Sequence, residues 1–102
     1  MVGGMMLRPA VFALTMLLTG LAAPATAACY ADYKAKQGDP LKLHYGVVEL
    51  PDAACRDPGR ARAEVARRIK AGGWTLLNVL GTFGPEGLET RKDSAGSYFL
   101  RY

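Results

Sequence analysis

Apolar and polar residues alternate along residues 41–50 (LKLHYGVVEL). Leu41, Leu43, Tyr45 and Val47 fall on one face, Lys42, His44, Gly46 and Val48 on the other. A period of two with β-branched and aromatic residues predicts a half-buried strand, which Pro51-Asp52 ends. Beyond Arg60 the period lengthens: Ala61, Val65 and Ile69 recur every four residues with Ala66 beside them, the apolar stripe of a helix. Asp57 offers a side-chain acceptor at the N-cap, and Pro58 suits the first helical position because its missing N–H has no partner there. Arg67, Arg68 and Lys70 suit the negative end of the dipole, Arg60/Glu64 and Glu64/Arg68 are i,i+4 pairs, and Gly72-Gly73 supplies the stop. The pattern predicts a helix over 58–71.

Residues 74–83 (WTLLNVLGTF) are apolar on both faces, which predicts a strand covered from two sides. Residues 84–96 form a connection rich in glycine and charge, with room for a helical turn after Pro85. Residues 97–102 (SYFLRY) end as a short aromatic strand. Upstream, residues 29–37 (CYADYKAKQ) mix polar and aromatic groups and predict a short helix or irregular arm, broken by Gly38-Asp39-Pro40. The expected fold is α+β: a small three-stranded sheet with one main helix in the order strand-helix-strand-strand, at 41–102, preceded by an N-terminal arm at 28–40. If strands 41–50 and 74–83 run parallel, their crossover is right-handed. The strand order stays open.

The first 27 residues read as a signal peptide. A short segment with one charge, Arg8, leads into an almost unbroken apolar run at 11–23. Pro24 ends the run, and Ala25-Thr26-Ala27 matches the small-x-small pattern for cleavage after Ala27. The run is short for the roughly 30 Å core of a bilayer. An uncleaved anchor is the alternative, since no charge falls between Arg8 and Asp32, and no twin-arginine pair precedes the run. Removing 27 of 102 residues leaves 75, with 12 basic and 9 acidic side chains and 33 apolar residues. That is one small domain, too short for two cores or a cofactor-binding α/β fold, so no cofactor is expected. Its expected place is the periplasm or the extracellular medium.

In an exported domain this small, two cysteines read as a disulfide, Cys29–Cys55. The separation is unlike the Cys-x-x-Cys of a redox enzyme, and only His44 could join the pair at zinc, which wants four ligands. Lipidation of Cys29 is the rival reading. The preceding Thr26-Ala27-Ala28 lacks the leucine such signals carry, and an acylated Cys29 would leave Cys55 a lone thiol.

The stretch 41–102 resembles the small bacterial domains of unknown function numbered forty-one seventy-seven. A strand, a helix, Gly73-Trp74-Thr75-Leu76 opening an apolar strand, and a last strand ending in basic and aromatic residues carry the likeness. The resemblance implies the fold. That family offers no established activity or catalytic residue to carry over, and the leader, the arm and the two cysteines depart from it.

Chemistry is sparse. His44 is the sole histidine and has no evident base or nucleophile beside it in sequence, so an ordinary surface or partly buried histidine is expected. Trp74 is expected to pack where helix and sheet meet. Asn78, among apolar neighbours, would need hydrogen-bond partners if buried. The acids Glu86, Glu89 and Asp93 lie in the connection with nothing to pair two of them. Five tyrosines, Tyr30, Tyr33, Tyr45, Tyr98 and Tyr102, could form a sugar-stacking surface or fill the rim of a small core. Arg56, Arg60, Arg62, Arg67, Arg68 and Lys70 face only Asp57 and Glu64 over the same stretch. The plain reading is a solvated outer face; the sharper one is attraction of an anionic partner by Arg60, Arg67, Arg68 and Lys70. Export removes nucleic acid as a natural partner despite a pI of about 9.3. The membrane would be reached only through an uncleaved leader or a lipid.

The expectation is a small exported binding or accessory module of the bacterial envelope, contacting an envelope protein or cell-wall polymer through an apolar sheet face or the basic helix. A second apolar sheet face needs a cover, supplied by the arm or by a second copy. The alternatives are a small envelope enzyme or inhibitor-like factor using the connection 84–96, and a structural envelope protein.

Overall fold

The computed structural model describes residues 28–102; the signal peptide expected at 1–27 and the cleavage expected after Ala27 lie outside them. The elements are strand β1 (Cys29–Gln37), strand β2 (Lys42–Leu50), a one-turn helix α1 (Asp52–Cys55), the main helix α2 (Pro58–Lys70), strand β3 (Thr75–Phe83) and a short helix α3 (Glu89–Ala95). The fold is α+β, with a three-stranded sheet in the order β2-β1-β3 and every neighbouring pair antiparallel.

The expected arm is the central strand. Alternation was hidden in CYADYKAKQ because its inward residues are small or amphipathic. Cys29, Ala31, Tyr33 and Ala35 are buried beneath α2, while Lys34 and Lys36 point the other way into solvent. β2 and β3 therefore run parallel to each other but are separated by β1, and the chain reads strand-strand-helix-strand. The expected last strand, 97–102, is reduced to a 3-10 turn at Gly96–Tyr98 and a single parallel bridge, Val47 with Phe99. The Leu100 N–H donates to the Val47 carbonyl at 2.8 Å. The connection holds a 3-10 turn after Gly84 and the helix α3.

α2 matches the pattern that predicted it. Asp57 accepts from the N–H groups of Gly59 and Arg60, and Ala61, Val65 and Ile69 are the buried stripe. At the C-terminus Gly73 takes a left-handed φ of 83°, its N–H reaches the Lys70 carbonyl and that of Trp74 reaches Ile69, a Schellman stop. The turn delivers Trp74 into the core, 8% exposed, as expected of it. Cys29 is disulfide-bonded to Cys55 with the Cα atoms 6.4 Å apart, tying the start of β1 to the end of α1. A bonded sulfur has no valence left for a lipid.

β2 alternates as predicted, but its more polar half faces the helix. His44, Gly46, Val48 and Leu50 pair with the inward residues Ala35, Tyr33, Ala31 and Cys29 of β1. Leu43 faces away and is 64% exposed.

Candidate docking edge and the aromatic cluster behind it

β3 is not covered from two sides. It is an edge strand, and its nine residues stand opposite only seven of β1, because the register shifts twice. The two β3 residues left without a β1 partner within that ladder are Leu77 and Leu80, 41% and 47% exposed. Each is the extra residue of a β-bulge. The bulges also reset the period: Leu76, Val79 and Thr82 lie opposite the inward residues Ala35, Tyr33 and Ala31, so the core-facing positions recur every third residue. Leu77 joins Leu43, Tyr45 and Lys34 in a shallow hollow on the face away from α2. Leu80 lies in a groove of about 380 Å³ between α2 and the β3 edge, with Pro58, Ala61 and Arg62 on its helix wall. A second groove, with Ala66 and Lys70 on the helix and 74–76 on the strand side, meets the first at Arg62.

An open strand edge presents unpaired backbone donors and acceptors, and proteins blunt such edges with charge, proline or bulges. Thr75–Phe83 contains no charge or proline, and its two bulges interrupt the ladder without covering the edge. Asn78 stands on this edge, exposed, so it has no burial to compensate.

The basic helix face divides in two. Glu64 binds both Arg67, at 2.5 Å, and Arg68, at 2.8 Å, and these hydrogen bonds hold its carboxyl below the usual range and raise Arg67. Arg68 also donates to the carbonyls of Glu49 and Tyr102, so it fastens α2 to β2 and the chain end. Arg60 is exposed on the same flank. Arg62 and Lys70 lie on the opposite flank, beside β3, and neither is in an ion pair among the described residues.

His44 sits inside an aromatic cluster that the sequence did not reveal. Its Nε2 is 2.9 Å from the Tyr33 hydroxyl, its ring stacks on Tyr98 at 3.7 Å between centroids, and Trp74 approaches edge-on at 4.2 Å. Tyr102 stacks in turn on Tyr98. Burial lowers the His44 pKa, and Arg101 adds to the effect; Nδ1 is buried with no hydrogen-bond partner among the described residues. Burial likewise pushes the Tyr33 phenol well up, reinforced by Tyr102 and Tyr98, so it remains a hydrogen-bond donor. The cluster closes the end of the core and pins the chain terminus.

On the other sheet face Asp32, 8% exposed, accepts from the Tyr45 hydroxyl at 2.9 Å and from Arg91 Nε at 3.1 Å. Arg91 lies 3.9 Å above the Phe83 ring, which stacks on Tyr30. Burial and then the bond to Asp32 push the Tyr45 phenol up to about 12. This network docks α3 against the sheet and covers the Val47 end of that face. The five tyrosines are thus spread over two faces. Glu86, Glu89 and Asp93 are exposed and share no groove with His44 or Asn78. Among the described residues no group of three potential ligands could hold a metal, and no helix is long and apolar enough to cross a membrane.

No family model, curated protein or solved structure matches the chain.

Proposed function

We propose that the protein is a small exported binding module of the bacterial envelope that seats a partner on the open β3 edge. The observation that carries this reading is a nine-residue strand edge without charge or proline, from which two bulges push Leu77 and Leu80 outward. The disulfide is compatible with export, since such bonds persist in oxidising compartments. The likeness to the domains numbered forty-one seventy-seven belongs to the proposal as a statement about fold and adds no activity. The enzyme reading built on 84–96 draws no support from the geometry, because the exposed acids of that segment share no concave site with His44 or Asn78.

The test is a photo-crosslinking side chain placed at Leu80, and in a second variant at Arg60 on the far flank of α2, in cells that express the protein. A partner adduct formed from Leu80 and not from Arg60 is expected. Equal labelling from both positions, or none from Leu80, would overturn the reading and favour a purely structural role.

A further inference from the structure

We infer that the groove between α2 and β3 takes an extended segment of a partner protein carrying two acidic side chains four residues apart, with an apolar one midway. This rests on the binding-module reading and specifies the partner's chemistry. The walls supply the argument. Arg62, Ala66 and Lys70 form one row along the helix, no acidic side chain among the described residues lines either groove, and the other wall is the uncharged strand. The step of eight positions from Arg62 to Lys70 rises about 12 Å along the helix. In an extended chain, residues i and i+4 lie on one face about 13 Å apart, so two carboxylates at that spacing would reach both cations. The residue midway would meet Ala66, whose small side chain leaves room. Backbone pairing to an open edge gives affinity without sequence preference; the two cations would set specificity.

A second copy fits this edge poorly. Two β3 strands paired about a two-fold axis would bring two α2 helices side by side and antiparallel. With the axis level with Ala66, each Arg62 would face the other copy's Lys70 with no carboxylate from either groove between them.

The oxidised protein, purified from its expressing host, would be titrated with blocked peptides centred on Glu-Thr-Val-Thr-Glu, on Lys-Thr-Val-Thr-Lys, and on the Glu peptide with its acids three apart. Binding is read by anisotropy, and its location by amide shifts along 75–83. The first peptide should bind about tenfold more tightly than the second, and more tightly than the third. Arg62→Glu with Lys70→Glu should reverse the preference; Arg60→Glu should leave it unchanged. Equal binding of the peptides, shifts centred elsewhere, or a β3-mediated dimer by sedimentation would each overturn the inference. A Leu80 adduct in cells combined with no preference for the Glu peptide would overturn the inference alone. Loss of both would remove the binding-module reading as well.

Discussion

Gly46 and Gly81 invite the same substitution with opposite results. Neither has a left-handed φ, so alanine is compatible with the backbone at both. At Gly46 an added Cβ would lie 2.6 Å from Cζ and 2.8 Å from Cε1 of Tyr33, far inside van der Waals contact. The Tyr33 ring has nowhere to go: it is fully buried, its hydroxyl is held at 2.9 Å by His44, and the two rings meet edge to face. At Gly81 the nearest atom is Oδ1 of Asp32 at 4.0 Å. Both substitutions restrict the unfolded chain and gain about 0.4–1 kcal/mol from that source. This contribution cancels in the difference between the two variants. What remains is overpacking at Gly46, about 1–3 kcal/mol. Gly46→Ala should therefore unfold at lower urea than Gly81→Ala, with an unchanged slope, and melt at least about 4 °C lower. Coincident midpoints would refute the reasoning, because Tyr33 could then not be pinned against β2.

Three further outcomes follow from the contacts. Replacing Cys29 and Cys55 together by serine, or reducing the wild-type protein, should lower stability by about 3.5 kcal/mol in urea melts, from a sequence separation of 26 in the chain-entropy model. His44 has a folded pKa below its unfolded value of 6.5, so the unfolded chain binds the proton more readily. The stability present above pH 6.5 should be lost progressively as pH falls from there through the folded value, and His44→Gln should remove that step from the pH series. Asp32→Ala leaves the partly buried Arg91 without its carboxylate and should cost about 1–3 kcal/mol. A double-mutant cycle with Arg91→Leu should show the two effects to be strongly non-additive.

The helix was legible because its signals agree: an N-cap, a proline at the first position, a four-residue apolar recurrence and a double-glycine stop all point to one element. β1 was not, because its inward face is built from alanine, cysteine and one tyrosine, and a strand of small residues flanked by lysines resembles a solvated arm. Only its central place in the sheet explains why Ala31 and Ala35 suffice: α2 packs closely above them. β3 misled for a different reason. Its run of apolar residues reads as a strand buried on both faces, whereas two bulges turn Leu77 and Leu80 out of the ladder, and no pattern of period two records a bulge. The His44 cluster was hidden because it gathers residues from β1, β2, the turn after α2 and the chain terminus, four segments that only the folded chain brings together.

Charge shows why counting is a poor guide to a binding surface. The sequence presents six cations around α2 as one basic face and singles out Arg60, Arg67, Arg68 and Lys70. The fold separates them by their position relative to the buried stripe. On the β2 flank Glu64 takes Arg67 and Arg68, and Arg68 Nη1 donates to two backbone carbonyls, so the densest charge in the sequence is committed to holding the helix, β2 and the terminus together. On the β3 flank the charge is sparser, yet Arg62 and Lys70 face an open edge with no acid beside them. An anionic partner gains more from two uncommitted cations beside an unpaired backbone than from Arg67 and Arg68, already neutralised by a shared carboxylate and, for Arg68, by carbonyl dipoles. The exposed apolar edge and the free cations fall on the same side of the molecule, and that coincidence ties the proposed partner's acidity to its extended form.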